Sequence, residues 1–305
     1  MTQSQIITQL SQDILKSEVI VVLGSTLFDA ADSILSAIKG KELIVVDPIK
    51  TTIAKKANLH ITLAPRSDFF LMILLARFVF LEELYDTKML KKLESDYEEF
   101  YDFVRTFRIK ALLGLIDGSL DDVGDILSIL AGKKTLFIIG KGIQKYTIAS
   151  EVVRATESLA MILGALGKDG CGVRVITASG IISSNQENFE FIDEYDDDFV
   201  DRKKLKRPKG HKSLVANSDD FWIANFDISS KDLVFVHPEI DFEDGEDITI
   251  ASNFGIIKLK VKHLPFVRKD TICISAPNEL ITQIIGADLL QSGCYGEVKV
   301  RLDRV

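Results

Sequence analysis

The groups in this sequence placed to do chemistry are two glycine-bearing turns and one aspartate. Gly24-Ser25 closes the apolar run Val19-Ile20-Val21-Val22-Leu23, and Gly140-Lys141-Gly142 closes the run Thr135 to Ile139. A glycine at the carboxyl end of a buried parallel strand lets backbone approach a nucleotide closely, and open α/β sheets bind ligands at such ends. Asp47 closes a third run, Leu43-Ile44-Val45-Val46, the position from which a carboxylate grips a ribose or a base edge. Each signal also has a plain structural reading. Neither turn completes Gly-x-Gly-x-x-Gly, and Asp47 before Pro48 serves equally well to cap the following turn.

Other chemistry is sparse. Cys171, Cys273 and Cys294 are too far apart for a zinc site or an iron–sulfur cluster, and His60, His211, His237 and His263 are scattered. No Ser/His/Asp arrangement stands out, so no catalytic residue and no metal ligand is assigned.

The elements that must position these groups alternate. Ile6, Ile7, Leu10, Ile14 and Leu15 recur at helical spacing before the first strand. A helix from about 29 to 38 stops at Lys39-Gly40, and a short helix near Ile53 to Ala57 precedes a third strand, Leu59 to Leu63. Strands and helices in this alternation predict a parallel sheet with right-handed crossovers. Ser67 or Asp68 is the expected N-cap of a helix whose apolar residues, Phe69 to Leu81, run nearly all round it. A more polar helical stretch spans Thr87 to Ile116, and Ser119 with Asp122 forms a capping-box pattern opening a helix to Leu130. After Gly142 come a helix from Thr147 to Leu166 and a glycine-dense loop, Gly167 to Gly172.

Residues 187–201 then hold eight acids and no bases, and 202–212 seven bases and no acids, a composition read as solvated linker. Beyond it the period becomes two: Ile257, Leu259 and Val261 alternate with Lys258, Lys260 and Lys262. Further strands are expected at Asp232–Val236, Ile248–Ile250, Thr271–Ser275 and Glu297–Leu302, with a turn at Ser252–Gly255 and a helix near Leu280–Ile285. The residues alone lead to an α/β nucleotide-type domain joined to a small β-rich one.

Composition excludes several classes. Forty-five acidic against 37 basic residues in 305 leave −8 at pH 7, which argues against a nucleic-acid binder. The greasiest run, Phe69 to Leu81, is thirteen residues with Arg77 inside it, whereas a membrane helix needs about 20. Met1-Thr2-Gln3-Ser4-Gln5 lacks a secretory pattern, so a cytoplasmic location is expected.

The order of the motifs adds a resemblance. The stretch Leu43 to Leu59, with Val45-Val46-Asp47-Pro48 followed by Thr51-Thr52 and Ala54, resembles a strand-and-turn block of the molybdopterin oxidoreductase family. Pro65-Arg66-Ser67-Asp68 matches its Pro-Gly-Thr-Asp, with Arg66 in the place of glycine. Thr135 to Gly142 and Leu163 to Val173 resemble a later glycine-rich block. His237-Pro238, Asp244-Gly245 and Ile248 to Gly255 are similar to the C-terminal dinucleotide-binding barrel.

The resemblance implies an α/β fold with parallel doubly wound sheet domains followed by a small β-barrel of double-psi type. It divides the chain into a nucleotide-binding-like domain with helical insert (1–130), a partial second α/β domain (131–186), a charged linker (187–219) and the barrel (220–305). It implies a cofactor site at Gly24, Ser25, Asp47, Asp68, Gly140 and Gly142. The isolated chain is expected to hold no cofactor, molybdopterin guanine dinucleotide being the residual candidate.

The role it suggests first is a non-catalytic scaffold beside the iron–sulfur subunits of a respiratory complex, like the G subunit of NADH:quinone oxidoreductase, placed peripherally at the inner membrane. The alternatives are the cofactor-binding half of a split enzyme such as a formate dehydrogenase, and a free-standing nucleotide-binding protein. Against the family pattern the chain begins at the third domain, so the sheet holding Thr135 to Ile139 is expected to be short, with an open edge and an uncovered helix 147–166 that demand a partner.

Overall fold

A computed structural model describes residues 2–25, 31–93, 96–177, 179–184, 186, 189–195, 221–226, 232–275, 280–286 and 298–305. The chain divides into two units, Met1–Ile143 with Ile148–Asp197, and Gln144–Thr147 with Asp198–Val305.

The first unit is built on one six-stranded sheet: β1 (Val19–Leu23), β2 (Glu42–Val46), β3 (Leu59–Ile61), β4 (Thr135–Ile139), β5 (Gly172–Ile176) and β6 (Ile181–Ser183). Their order is β3-β2-β1-β4-β5-β6, parallel except for β6, which runs antiparallel to β5. Every residue of β1 and β4 is buried, as continuous β-branched runs require when helices cover both faces. On one face Ile20, Val22, Leu43, Val45, Leu136 and Ile138 pack with α1 (Gln3–Lys16) and α2 (Asp32–Ala37). On the other, α8 (Ala149–Ile162) packs on β4 and β5, and α3 (Asp68–Leu81) packs on α8.

Helix α3 is apolar all round because it is enclosed all round: residues 69 to 76 are each at most 2% exposed. Beyond α4 (Thr87–Leu93), its remaining cover is α5 (Glu98–Thr106), α6 (Ile109–Ile116) and α7 (Leu120–Leu130). The one basic residue within α3, Arg77, donates from Nη1 to the Val104 carbonyl at 3.1 Å, so the insert also serves the only long polar side chain on the helix. The Ser119–Asp122 capping box forms as its spacing predicts.

Three expectations are corrected here. The division near residue 130 is absent, because β4 pairs with β1 and segment 131–186 completes the sheet begun by 1–130. Strand β4 therefore has no open edge; β1 and β5 flank it, and α3 covers α8, whose Val152, Leu159 and Ile162 are at most 1% exposed. The demand for a partner built on that edge loses its basis. Of the linker expected at 187–219, residues 189–195 are described and pack rather than dangle. Ile192 is fully buried, Phe191 stacks on Phe100 at 5.1 Å, and Tyr195 stacks on Phe69 at 4.2 Å. Apolar residues interleaved with the acids supply an anchoring area that composition alone conceals. The rest of that stretch, 187–188 and 196–219, lies outside the described residues.

A buried ion pair ties the first helix to the sheet. Arg174 of β5 donates from Nε to Asp13 of α1 at 2.8 Å, with both side chains less than a fifth exposed. Removing one partner strands a desolvated charge, so Asp13→Ala should lower stability by about 2 kcal/mol, read from the urea midpoint. Asp169→Ala, which removes the exposed partner of Lys16, should leave the midpoint in place. Equal effects would overturn this expectation.

The second unit is a closed barrel of β7 (Phe221–Phe226), β8 (Leu233–Val236), β9 (Asp247–Ala251), β10 (Ile256–His263), β11 (Thr271–Ser275) and β12 (Lys299–Arg304), with a short helix α9 (Ile281–Ile284). The ring order is β10-β8-β11-β7-β12-β9, with two parallel pairs, β8 with β10 and β7 with β11. Ile257, Leu259 and Val261 point into its core while Lys260 and Lys262 pair outside with Asp247 and Asp244. Ser252 Oγ accepts the N–H groups of Phe254 and Gly255, which sets the turn between β9 and β10. The α/β sheet followed by a β-barrel is the expected fold class. Strands β5, β6 and β7 are additions to the elements read from sequence.

Candidate functional site

Strands β2, β1 and β4 end in register. Leu23 faces Val46 on one side and Ile139 on the other, so Gly24, Asp47 and Gly140 leave the sheet side by side. The chain steps outward from β1 to β2 to β3, then returns with β4 on the opposite side of β1. Strand order thus reverses between β1 and β4, the place where open α/β sheets leave a crevice.

Here the two glycine turns occupy that crevice with their own backbone. Gly140 N donates to Leu23 O at 2.8 Å, and Gly142 N donates to Gly24 O at 2.9 Å. A Cβ on Gly140 would lie 2.3 Å from Gly24 O and 2.4 Å from Ser25 Cβ; one on Gly142 would lie 2.8 Å from Gly24 O. Gly24 itself has φ +56°, a left-handed conformation. Gly24, Ser25, Gly140 and Gly142 are therefore brought together as the sequence suggests, but their missing side chains serve turn-on-turn contact.

Asp47 is 7% exposed, and its Oδ1 accepts the Ile49 N–H at 2.9 Å across Pro48, an Asx turn. Its carbonyl lies 3.0 Å from His60 Nε2. A carbonyl only accepts, so Nε2 carries the hydrogen; burial holds the imidazole below its ordinary 6.5, consistent with a neutral ring. The turn-capping reading of Asp47 is realised, with the carboxylate still at the sheet edge.

Asp68 leaves the sheet one strand further out, after β3, and shares that carboxyl edge. It is the first residue of α3 and 7% exposed. Burial pushes its carboxyl up to about 7, and its own backbone N–H stabilises the charged form only in part. The preceding turn has an unusual backbone. Ser67 N donates to Ala64 O at 3.2 Å, Pro65 is the second residue and Arg66, the third, has φ +67°. That is type II turn geometry, which favours glycine at the third position. Arg66 is nevertheless 2% exposed. Ser67 occupies the N-cap position without capping: its Oγ donates back to Ala64 O at 2.5 Å. The sequence puts Arg66 in the place of a glycine, and the structure shows the left-handed backbone that goes with that place; Pro65 before it was the available signal.

A separate cleft of about 660 Å³ opens among the helices of the same unit, lined by Met89, Met161, Phe189, Phe191, Glu98 and Glu190 among others. None of the six residues picked from sequence lines it. No group of three or more His, Cys, Asp or Glu able to hold a metal occurs among the described residues, and no helix among them is long and apolar enough to cross a membrane.

The fold has known counterparts. Acetylene hydratase from Pelobacter acetylenicus superposes with a TM-score of 0.57 at 10% identity, covering 100% of this chain and 82% of that one, a likeness of fold. The F420-dependent formate dehydrogenase 2 subunit alpha of Methanococcus maripaludis is 27% identical over 169 residues, 53% of this chain and 25% of that protein. Formate dehydrogenase H of Escherichia coli is 26% identical over 185 residues, 59% of this chain and 26% of that protein. The assimilatory nitrate reductase catalytic subunit of Bacillus subtilis is 24% identical over 175 residues, 55% of this chain and 24% of that protein. This chain thus spans about a quarter of the length of the curated relatives it matches. Residues 1–251, which include the whole described sheet and all six edge residues, match the family model described as molybdopterin oxidoreductase. With that match, the fold and the glycine-and-aspartate edge converge on one conclusion: the chain belongs to the molybdopterin oxidoreductase family.

Proposed function

We propose that this chain is the nucleotide-holding part of a molybdopterin oxidoreductase of the formate dehydrogenase and nitrate reductase kind, working in the cytoplasm beside iron–sulfur redox subunits. The observation that carries the reading is Asp68. A carboxyl group buried at the carboxyl edge of a doubly wound sheet suits a base edge that offers N–H donors, as guanine does, because its ionised form presents two acceptor oxygens and those donors would offset the burial that raises it to about 7. The relatives named above support the formate dehydrogenase direction over the respiratory G-subunit one.

The family implies molybdopterin guanine dinucleotide, and the residues present suit its base end. The turns after β1 and β4 suit its phosphates poorly, since a side-chain-sized space at Gly140 is already filled by Gly24 and Ser25. When bound, that group supplies the metal and its redox chemistry. This chain would orient the base through Asp68 and Asp47 and exclude water from it. The filled crevice also favours a second reading, a non-catalytic scaffold of the G-subunit type.

Isolation of the protein from its own cells under native conditions separates the two. The proposed function expects about one guanine nucleotide released per chain on denaturation, together with co-isolated iron–sulfur subunits. Iron–sulfur partners without nucleotide would favour the scaffold, and neither would sink both readings.

A further inference from the structure

We propose that the cleft bounded by α4, α5, α8 and residues 189–193 is a docking groove for a basic segment of a partner protein, one that lays a long apolar side chain on the cleft floor and sets lysines or arginines against its acidic rim. The inference is independent of the nucleotide reading above. The floor is apolar: Met89 and Leu93 of α4, Met161 of α8, Phe189 and Phe191 line it. Phe189 meets Phe191 edge-on at 4.8 Å, and Phe191 stacks on the fully buried Phe100, so the aromatic wall is held from beneath. Unbranched methionines beside fixed aromatic rings suit a groove that receives a side chain from another protein. At about 660 Å³ the cleft has the size of pockets that enclose ligand groups, roughly 300–1,000 Å³.

The charges select the kind of segment. Both bases that line the cleft are already engaged: Lys92 donates to Gln186 Oε1 at 3.1 Å, and Arg154 donates to Phe191 O at 3.2 Å and to Asp193 at 3.4 Å. Gln186 is itself fixed by its donation to Leu166 O at 2.7 Å. Asp96, Glu98, Glu99 and Glu190 also line the cleft, are exposed, and form no ion pair among the described residues. A small amine would meet only exposed ion pairs there, and such pairs contribute little alone. A peptide segment that covers the methionine and phenylalanine floor while its cations span the rim gains from both terms, and the complementary charge fixes its register and speeds its encounter.

Fluorescence anisotropy of the full chain with a short labelled peptide in which lysine and leucine alternate, at low ionic strength, tests this. The double variant Glu98→Gln with Glu190→Gln should bind the peptide about tenfold more weakly than wild type. Asp121→Asn with Asp125→Asn removes two exposed acids of α7 that do not line the cleft, and should leave the affinity unchanged. A peptide alternating lysine and serine should bind wild type about tenfold more weakly than the leucine one, because it leaves the floor uncovered. All four substitutions are on the surface, so none threatens folding. Equal losses in the two double variants would mean that the peptide senses only the net negative charge, and would overturn the inference. Equal affinity for the two peptides would overturn it by removing the floor, and binding of neither would remove the groove altogether.

Discussion

Gly140→Ala is expected to destabilise the first unit by about 3–5 kcal/mol, a large fraction of a domain's ordinary stability. The added methyl would sit 2.3 Å from a backbone carbonyl oxygen and 2.6 Å from Ser25 Cα, neither of which can rotate away as a side chain would. Relief requires the turns after β1 and β4 to separate, which breaks the Gly142-to-Gly24 hydrogen bond and disturbs the adjoining Gly140-to-Leu23 bond. Two controls isolate the cause. Gly114 in α6 and Gly124 in α7 have nothing within 4 Å of an added Cβ and ordinary backbone angles, so Gly→Ala there should stabilise by up to about 1 kcal/mol. Urea unfolding of the three variants decides it. If Gly140→Ala unfolds within 1 kcal/mol of wild type, the two turns are not packed as described and the crevice at the switch point is open to a ligand.

Asp68→Asn should remove a large part of the pH dependence of stability. Its carboxyl titrates near 7 in the folded protein against an ordinary 3.8. A raised acid contributes stability that is fully present below the unfolded value. That contribution is lost as pH rises, because the unfolded chain releases its proton first, and the loss is complete once pH passes the folded value. The whole gap is worth on the order of 4 kcal/mol, and the positive end of α3 acts in the opposite sense by stabilising the carboxylate. The asparagine carries no such proton. Its stability relative to wild type should therefore rise by about 3 kcal/mol between pH 4.5 and pH 8. Guanidinium unfolding at both pH values measures the difference, with all other carboxylates common to both proteins. An unchanged difference would mean that Asp68 is ionised and partnered in the folded protein, and its fitness for a base edge would fall with it.

The strands that carry the site were legible because they are short, continuous and β-branched. Val19–Leu23, Leu43–Val46 and Thr135–Ile139 can only be buried on both faces, and each ends in a residue that cannot continue a strand comfortably. The helix after Asp68 was equally plain, since its apolar residues circle the whole axis. Strand β5 was hidden because Arg174 interrupts its apolar pattern and reads as surface. Its partner, Asp13, lies 161 residues earlier in sequence, and only folding brings the two charges together to make that burial tolerable. The acidic stretch misled for the converse reason. Its charges dominate composition, while Ile192 and Tyr195 decide where it goes.

The sequence by itself determined the order of the elements, the alternation of β10, and the residue types at the carboxyl edge, because these follow from local patterns of two, three or four residues. Tertiary structure alone decided which strands neighbour one another, and so placed β4 at the centre of the sheet rather than at its edge. It also decided what the glycines are for. A glycine leaves a volume of one methyl group empty, and no local pattern states whether a phosphate or another turn will fill it. At Gly140 the occupant is Gly24 and Ser25, residues a crossover away in the chain.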